Sequence, residues 1–354
     1  MSLWEANVRM TEPYTPGEQP RDRDVIKLNT NENPYPPSPK VEQALRSMDM
    51  DLLRRYPDPA CSDLVTALAE VKGVDPSCVF TGVGSDDVLA MSFLTFFYGK
   101  DPVLFADITY SFYDVWANLF RIPYRVIPLD EHFTIRPSDY TGKCGGVVIA
   151  NPNAPTGKYL APEEIEKIVA AHPECVVIVD EAYIDFGGES VLPMISRYDN
   201  LLVVQTLSKS YSMAGMRVGA AFGCPKLISL LSSNKYAFNS YTMNTPSLLA
   251  GTAAVRDREY FELTRNKIIA TRERVKPLMR SLGFSFEDSM TNFLFVSHEQ
   301  VPAKEIFQRL REEKIYVRYW DLPRISNHLR ITIGTDEQMD ALISFLSGWL
   351  RNKS

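Results

Sequence analysis

A chain of 354 residues exceeds what one hydrophobic core ordinarily serves, so two domains are expected. Hydrophobic residues make up 45% and charged residues 23%, and no apolar run approaches the ~20 residues that cross a bilayer, which argues against a membrane protein. A formal net charge of −6 with no basic block disfavours nucleic acid as a partner, although clustered Arg, Lys and backbone N–H groups can still bind an anion.

The N-terminus, MSLWEANVRMTEPYTPGEQPRDRD, lacks the basic-then-apolar order of a secretory signal. The next stretch, NTNENPYPPSP, is again rich in Pro and Asn, so residues 1–40 read as an extended arm. Helical spacing begins after residue 40. CSDLVTALAEVKG ends on a glycine stop, and DDVLAMSFLTFFYG follows as a more buried helix. Short apolar runs then alternate with helices: PVLFA (102–106), GVVIA (146–150), CVVIVD (175–180), LLVVQT (201–206) and VGAAFG (218–223). APEEIEKIVAAH lies between two of them, with Pro162 in its first turn. Valine-rich runs without polar alternation predict strands covered on both faces, hence a mainly parallel sheet in an α/β domain over 41–250.

From Thr245 to Leu282 the pattern is helical almost throughout. FSFEDSMTNFLFVS, IYVRYW and LRITIG then read as strands, with helices in AKEIFQRLREEK and EQMDALISFLSGWL. Residues 251–354 therefore form a smaller α+β domain, joined by the arm.

The polar residues cluster where strands end, the edge at which α/β sheets build their sites. CVVIVD ends in Asp180, LLVVQT runs into TLSK and Lys209, GVVIA into NPNAPTG, and VFTGVGSDD sets Gly84 and Ser85 before a helix. A second cation, Arg217, favours the neutral form of Lys209 by repulsion, and a neutral amine can form a Schiff base with an aldehyde. A buried aspartate can keep a pyridine nitrogen protonated, making the ring an electron sink. A helix N-terminus with Thr206, Ser208 and Arg217 suits a phosphate. Aldehyde, pyridinium and phosphate together describe pyridoxal 5′-phosphate (PLP).

The blocks NTNENPY, RRYPDP, NPNAPTG, DEAYIDF, TLSKSYSMAGMRVG and LRITIGT, in this order from Asn29 to Thr335, resemble the fold-type-I PLP-dependent aminotransferases and, among these, the histidinol-phosphate aminotransferase family most closely. The resemblance implies a homodimer with shared active sites in the cytoplasm, and amino transfer between L-histidinol phosphate and 2-oxoglutarate in histidine biosynthesis. It also implies roles. Lys209 would form the Schiff base and shuttle a proton, Asp180 would pair with the pyridine nitrogen, and Tyr183 would donate to the ring oxygen. Tyr110 would stack on the ring. Gly84, Ser85, Asp86, Thr206, Ser208 and Arg217 would surround the phosphate, reached by Tyr56 from the other subunit.

Arg330 would clamp the α-carboxylate of glutamate in a two-pronged contact. Arg318 would take the distal anion, and Asn31, Tyr14 and the second subunit's Tyr241 complete the substrate set. The family usually carries asparagine directly before PTG, where Ala154 stands here; either Asn153 shifts in or Tyr183 serves the ring oxygen alone. Tyr14 could equally pin the arm by packing, and Arg318 could be an interface ion pair. An aromatic transaminase or a phosphoamino-acid decarboxylase on the same scaffold stays open as an alternative.

Five cysteines (Cys61, Cys78, Cys144, Cys175, Cys224), odd in number and without a CxxC pair, read as reduced core thiols of a cytoplasmic protein. The histidines (His132, His172, His298, His328) are scattered without an HExxH motif, so no metal site is expected.

Overall fold

The computed structural model describes residues 2–22 and 24–351. Seven strands form the central sheet in the order Val79–Gly82, Gly219–Gly223, Leu201–Thr206, Val177–Asp180, Gly146–Ala150, Val103–Ala106 and Tyr124–Ile127. Neighbours from Leu201–Thr206 onward run parallel, and Gly219–Gly223 is antiparallel to both of its neighbours. The five strands expected from the valine-rich runs are all present. Tyr124–Ile127 was not anticipated: it forms the sheet's edge, three of its four residues are exposed, and it lacks the continuous apolar signal of a strand covered on both faces.

Side-chain alternation along the strands sorts the core into two layers. Val177, Val179, Leu201 and Val203 pack with Leu64 and Leu68 of the helix Ser62–Lys72 and Ile165 and Ile168 of the helix Pro162–Ala171. Ile178, Val148, Leu202 and Val204 pack on the opposite face with Val88, Leu89 and Phe93 of the helix Ser85–Phe96 and with Tyr113 and Trp116 of the helix Tyr113–Phe120. Asp180 is two residues beyond Ile178, so alternation carries it to the Tyr113 side. The Tyr113 hydroxyl donates to Asp180 Oδ2 at 2.8 Å.

The C-terminal part carries a four-stranded antiparallel sheet, Arg318–Tyr319, Leu329–Thr332, Phe293–His298 and Phe284–Ser285. The arm joins this half through Ile26–Lys27, which pairs in parallel with Ile315–Tyr316. The expected continuous helix from Thr245 is two helices, Thr245–Arg256 and Arg258–Ser281. Asp257 sits at the break, and its carboxylate accepts from Ser38 Oγ and from Lys40 Nζ (3.0 Å) at the start of the helix Pro39–Arg46. A helical residue with its side chain drawn into such bonds favours a terminus over a helix interior. Among the described residues, no helix is long and apolar enough to cross a membrane.

Glu181 follows Asp180 and is likewise buried. It accepts from Ser190 Oγ (2.6 Å), Val191 N (2.8 Å) and Gln205 Nε2 (2.8 Å), all neutral donors. Burial pushes its carboxyl from the ordinary 4.5 up to about 7, against the pull of those donors and of Lys72. A carboxyl with a raised folded-state value binds a proton that the unfolded chain has released. Its contribution to stability is therefore favourable at low pH and is lost as pH rises through about 7. We expect Glu181→Gln to be more stable than the parent at pH 8, by up to about 3 kcal/mol, with the gain fading toward pH 4.5. Urea unfolding at the two pH values measures this. A loss at pH 8 would mean that the ionised carboxylate is a net stabiliser of the segment it holds.

Candidate active site

Ala150, Asp180 and Thr206 end three adjacent parallel strands, with Ala150 opposite Asp180 and Asp180 opposite Val204. A cleft opens above this edge. Its walls include Asp180, Tyr183, Lys209, Tyr110 and Thr206, together with Thr30 and Glu32 of the arm. Lys209 Nζ donates to the Thr30 carbonyl at 3.3 Å and lies 5.8 Å from the centre of the Tyr183 ring. The Tyr183 hydroxyl accepts from Asn31 Nδ2 at 2.8 Å, and its ring meets Phe293 edge-on. Asn31 is fixed in turn: Thr332 Oγ1 donates to its Oδ1 at 3.0 Å, and its carbonyl accepts from Asn292 Nδ2 at 3.0 Å.

Asp180 is 5% exposed, and burial pushes its carboxyl up to about 6 despite donation from Tyr113 and the Ala182 amide. No cation contacts it among the described residues. A buried carboxylate with only neutral donors is short of a positive partner, and a protonated heterocyclic nitrogen supplies one.

An anion cradle adjoins it. Gly84 has a φ of 85° and precedes the helix Ser85–Phe96, whose first amides receive no side-chain cap. Arg217, itself left-handed at φ 53°, lays its guanidinium over Gly84, where a Cβ would collide with it. A Cβ at Gly219 would strike the backbone of Gly84 and Ser85, so both glycines are needed for this close approach. Thr206 Oγ1 and Ser208 Oγ stand 3.0 Å apart beside it. Asp86 accepts from Tyr110 Oη (2.7 Å) and pairs with Arg217 Nη2 (3.2 Å), which fixes both side chains at the rim. Amide ends, hydroxyls and a guanidinium suit a phosphate.

Arg330 and Arg318 are cross-strand partners. Each guanidinium lies 5.2 Å from the Trp320 ring centre, so the two cations flank one aromatic side chain. Arg330 Nη2 donates to the Asn29 carbonyl at 2.9 Å, while its Nε is buried without a partner among the described residues. Arg318 reaches the carbonyls of Thr15 (3.1 Å) and Pro16 (3.3 Å) on the arm. Tyr14 stacks on Phe112 with ring centres 4.2 Å apart.

Two sets of expected residues stand elsewhere. Asn153 does not turn toward the cleft: its Nδ2 donates to Ile108 O and Thr156 Oγ1, both at 2.9 Å, and its Oδ1 accepts from Thr109 Oγ1 at 2.8 Å. With both amide protons used, Asn153 braces its own loop, and Ala154 takes the place at the wall. Tyr56 and Tyr241 stack on each other (4.6 Å) at the surface and do not line this chain's cleft. Three further contributors went unread in the sequence. Thr30 offers its backbone carbonyl to Lys209, Asn33 Nδ2 donates to the Lys209 and Ser210 carbonyls (3.0 and 3.2 Å), and Tyr113 holds Asp180. The Asn-rich block that contains Thr30 and Asn33 was the available signal; Tyr113 had none, being one aromatic residue among several.

Sequence and structure comparisons bear on this site. The family model for aminotransferase class I and II matches residues 23–346. A histidinol-phosphate aminotransferase of Clostridium acetobutylicum is 51% identical over 337 residues, covering 95% of this chain and 96% of that protein. Histidinol-phosphate aminotransferase 1 of Bordetella parapertussis is 51% identical over 346 residues, covering 97% of each. Among solved structures, the histidinol-phosphate aminotransferase of Sinorhizobium meliloti in complex with pyridoxal-5′-phosphate superposes with a TM-score of 0.83 at 24% identity, covering 94% of this chain and 93% of that one. The L-threonine-O-3-phosphate decarboxylase of Porphyromonas gingivalis gives 0.76 at 21%, covering 92% and 100%. At such identities these two structures speak for the shared fold alone. With the family model spanning nearly all of it and relatives at half identity along its length, the chain belongs to the class I and II aminotransferases.

Proposed function

We propose that this chain transfers the amino group of L-histidinol phosphate to 2-oxoglutarate, giving imidazole-acetol phosphate and glutamate, with PLP bound in the cleft. The observation that carries the reading is one cleft that unites a lysine amine, a buried carboxylate with no cation among the described residues, and an anion cradle built on Gly84 and Arg217. Relatives at half identity over nearly the whole chain support the substrate.

Gly84, Ser85, Thr206, Ser208 and Arg217 would hold the cofactor phosphate, and Tyr110 and Ala154 would border its ring. When bound, the cofactor supplies an aldehyde carbon for amine exchange and a protonated ring that draws off the electron pair left at the substrate carbon. Asp180 would keep the proton on the ring nitrogen: that cation supplies the charge its burial lacks. Lys209 Nζ would take the proton from the substrate carbon and return it to the cofactor side, a transfer that needs the free amine. Its hydrogen bond to Thr30 O holds the amine facing the cleft. Tyr183, oriented by Asn31, would donate to the ring oxygen without help from Asn153.

Each turnover admits two substrates in succession, so one pocket must hold both glutamate and a phosphate ester. Arg330, whose buried Nε has no partner among the described residues, would bind the α-carboxylate, and Arg318 across the strand pair the distal anion. We also infer a cytoplasmic homodimer in which the Tyr56–Tyr241 pair, exposed on this chain, completes the partner's site.

Three experiments test the reading. Mixed in a single turnover with the PLP-loaded protein, histidinol phosphate should discharge the cofactor's visible absorbance far faster than phenylalanine or O-phosphothreonine; equal rates with phenylalanine would remove the substrate assignment. Arg330→Lys should raise KM for glutamate by roughly 10- to 100-fold, since the two-pronged contact is lost; an unchanged KM places the carboxylate elsewhere. Refolded together, inactive Lys209→Ala and weakened Tyr56→Ala subunits should recover about a quarter of parent activity, because half of a statistical mixture is heterodimer with one intact site of two. Absence of recovery argues against shared sites.

A further inference from the structure

The geometry points to a thiolate metal site, a Zn²⁺-class ion held by Cys144, His172 and Cys175 at the end of the central sheet opposite to the cleft. It runs against the expectation, drawn from the scattered histidines and the absence of CxxC and HExxH patterns, that the chain has no metal site. Cys144 lies two residues before the strand Gly146–Ala150, and Cys175 two before Val177–Asp180. His172 follows the helix Pro162–Ala171 directly. The fold brings their ligand atoms within 4.8 Å of one another.

Two of the three ligand spacings are those of a coordination sphere, and the third, between His172 Nδ1 and Cys175 Sγ, lies within 4.8 Å. Cys144 Sγ is 3.6 Å from Cys175 Sγ and 3.5 Å from His172 Nδ1. Zinc bonds of about 2.3 Å to sulfur and about 2.0–2.1 Å to nitrogen, at tetrahedral angles, put two sulfurs about 3.8 Å apart and sulfur and nitrogen about 3.6 Å apart. The imidazole is set for the task. His172 Nε2 lies 2.9 Å from the Tyr140 carbonyl, which can only accept, so the proton resides on Nε2 and the lone pair of Nδ1 faces the sulfurs. Asn200 Nδ2 secures the turn by reaching the carbonyls of Val169, His172 and Cys175 (3.3, 2.8 and 3.3 Å).

The chemistry selects the ion. Two thiolates and a neutral imidazole balance a divalent charge in a pair of positions that are buried, at Cys144 and His172. Sulfur ligands favour Zn²⁺ over Mg²⁺ or Ca²⁺. Binding releases the two thiol protons to solvent. Three protein ligands leave a fourth position to be filled, and Cys175 is the half-buried member of the set, the one in reach of solvent water. The ion would then fasten the start of the strand that ends in Asp180 to its neighbour and to the helix before it.

The test uses the reduced, PLP-loaded protein, exposed to excess Zn²⁺ and then dialysed against a weak chelator. The parent should retain one equivalent of zinc whose X-ray absorption shows a two-sulfur shell; neither PLP nor surface carboxylates can supply sulfur. Cys175→Ser, a change at a half-buried position, should lower zinc affinity by roughly tenfold or more and lose one sulfur, whereas Cys224→Ser should retain zinc as the parent does. Zn²⁺ should raise the melting temperature of the parent by more than that of Cys175→Ser. No retention by the reduced parent, a sulfur-free shell, or equal retention by Cys175→Ser would each overturn the proposal. So would a Cys144–Cys175 disulfide that forms under air oxidation in preference to zinc binding.

Discussion

A carboxylate buried at the end of a central strand, with no cation among the described residues to meet it, is the constraint around which this chain is arranged. Asp180 occupies the Tyr113 side of the sheet because strand alternation carries it there. Its neighbours satisfy hydrogen bonds but not charge, and burial therefore raises its affinity for a proton. A site with that deficit favours a ligand carrying positive charge on a flat ring. The adjoining cradle at Gly84 and Arg217 favours a negative charge at the ligand's other end. The two preferences together specify a zwitterionic ligand and its orientation before any substrate arrives.

The remaining elements keep those two poles in register. The arm passes through the cleft, and its asparagines tie the halves of the molecule: Asn31 bridges Tyr183 and Thr332, while Asn33 holds the backbone of Lys209. The lysine amine is thus positioned from both sides, by the strand that precedes it and by the Thr30 carbonyl. The same arm accepts Arg318 through Thr15 and Pro16. Order in the arm and the placement of Arg318, the proposed distal anion clamp, are therefore one property rather than two.

Much of this was legible in the sequence because strand ends are linear features. A valine run that stops at Asp180 announces its position, and Lys209 and Gly84 are announced in the same way. What was hidden depends on direction rather than on order along the chain. Asn153 and Ala154 are adjacent letters, yet only one faces the cleft, because the Asn153 amide is used up by Ile108, Thr156 and Thr109. Tyr113 looks like its aromatic neighbours until the helix turns it toward Asp180. Asp257 interrupts a helical pattern through bonds to residues more than two hundred positions away. The sulfur–imidazole trio escaped because its HxxC pair lacks a local third ligand: Cys144 is 28 residues from His172 and is delivered by the neighbouring strand.

The proposed chemistry depends most on the proton that Asp180 would keep on the cofactor's ring nitrogen. Nitrogen-15 NMR of the protein reconstituted with ring-labelled PLP reads that proton directly. The parent should show a protonated ring nitrogen across neutral pH, and Asp180→Ala an unprotonated one, with cofactor still bound through the Gly84–Arg217 cradle. An unprotonated ring in the parent, or a protonated one that survives loss of the carboxylate, would contradict the account.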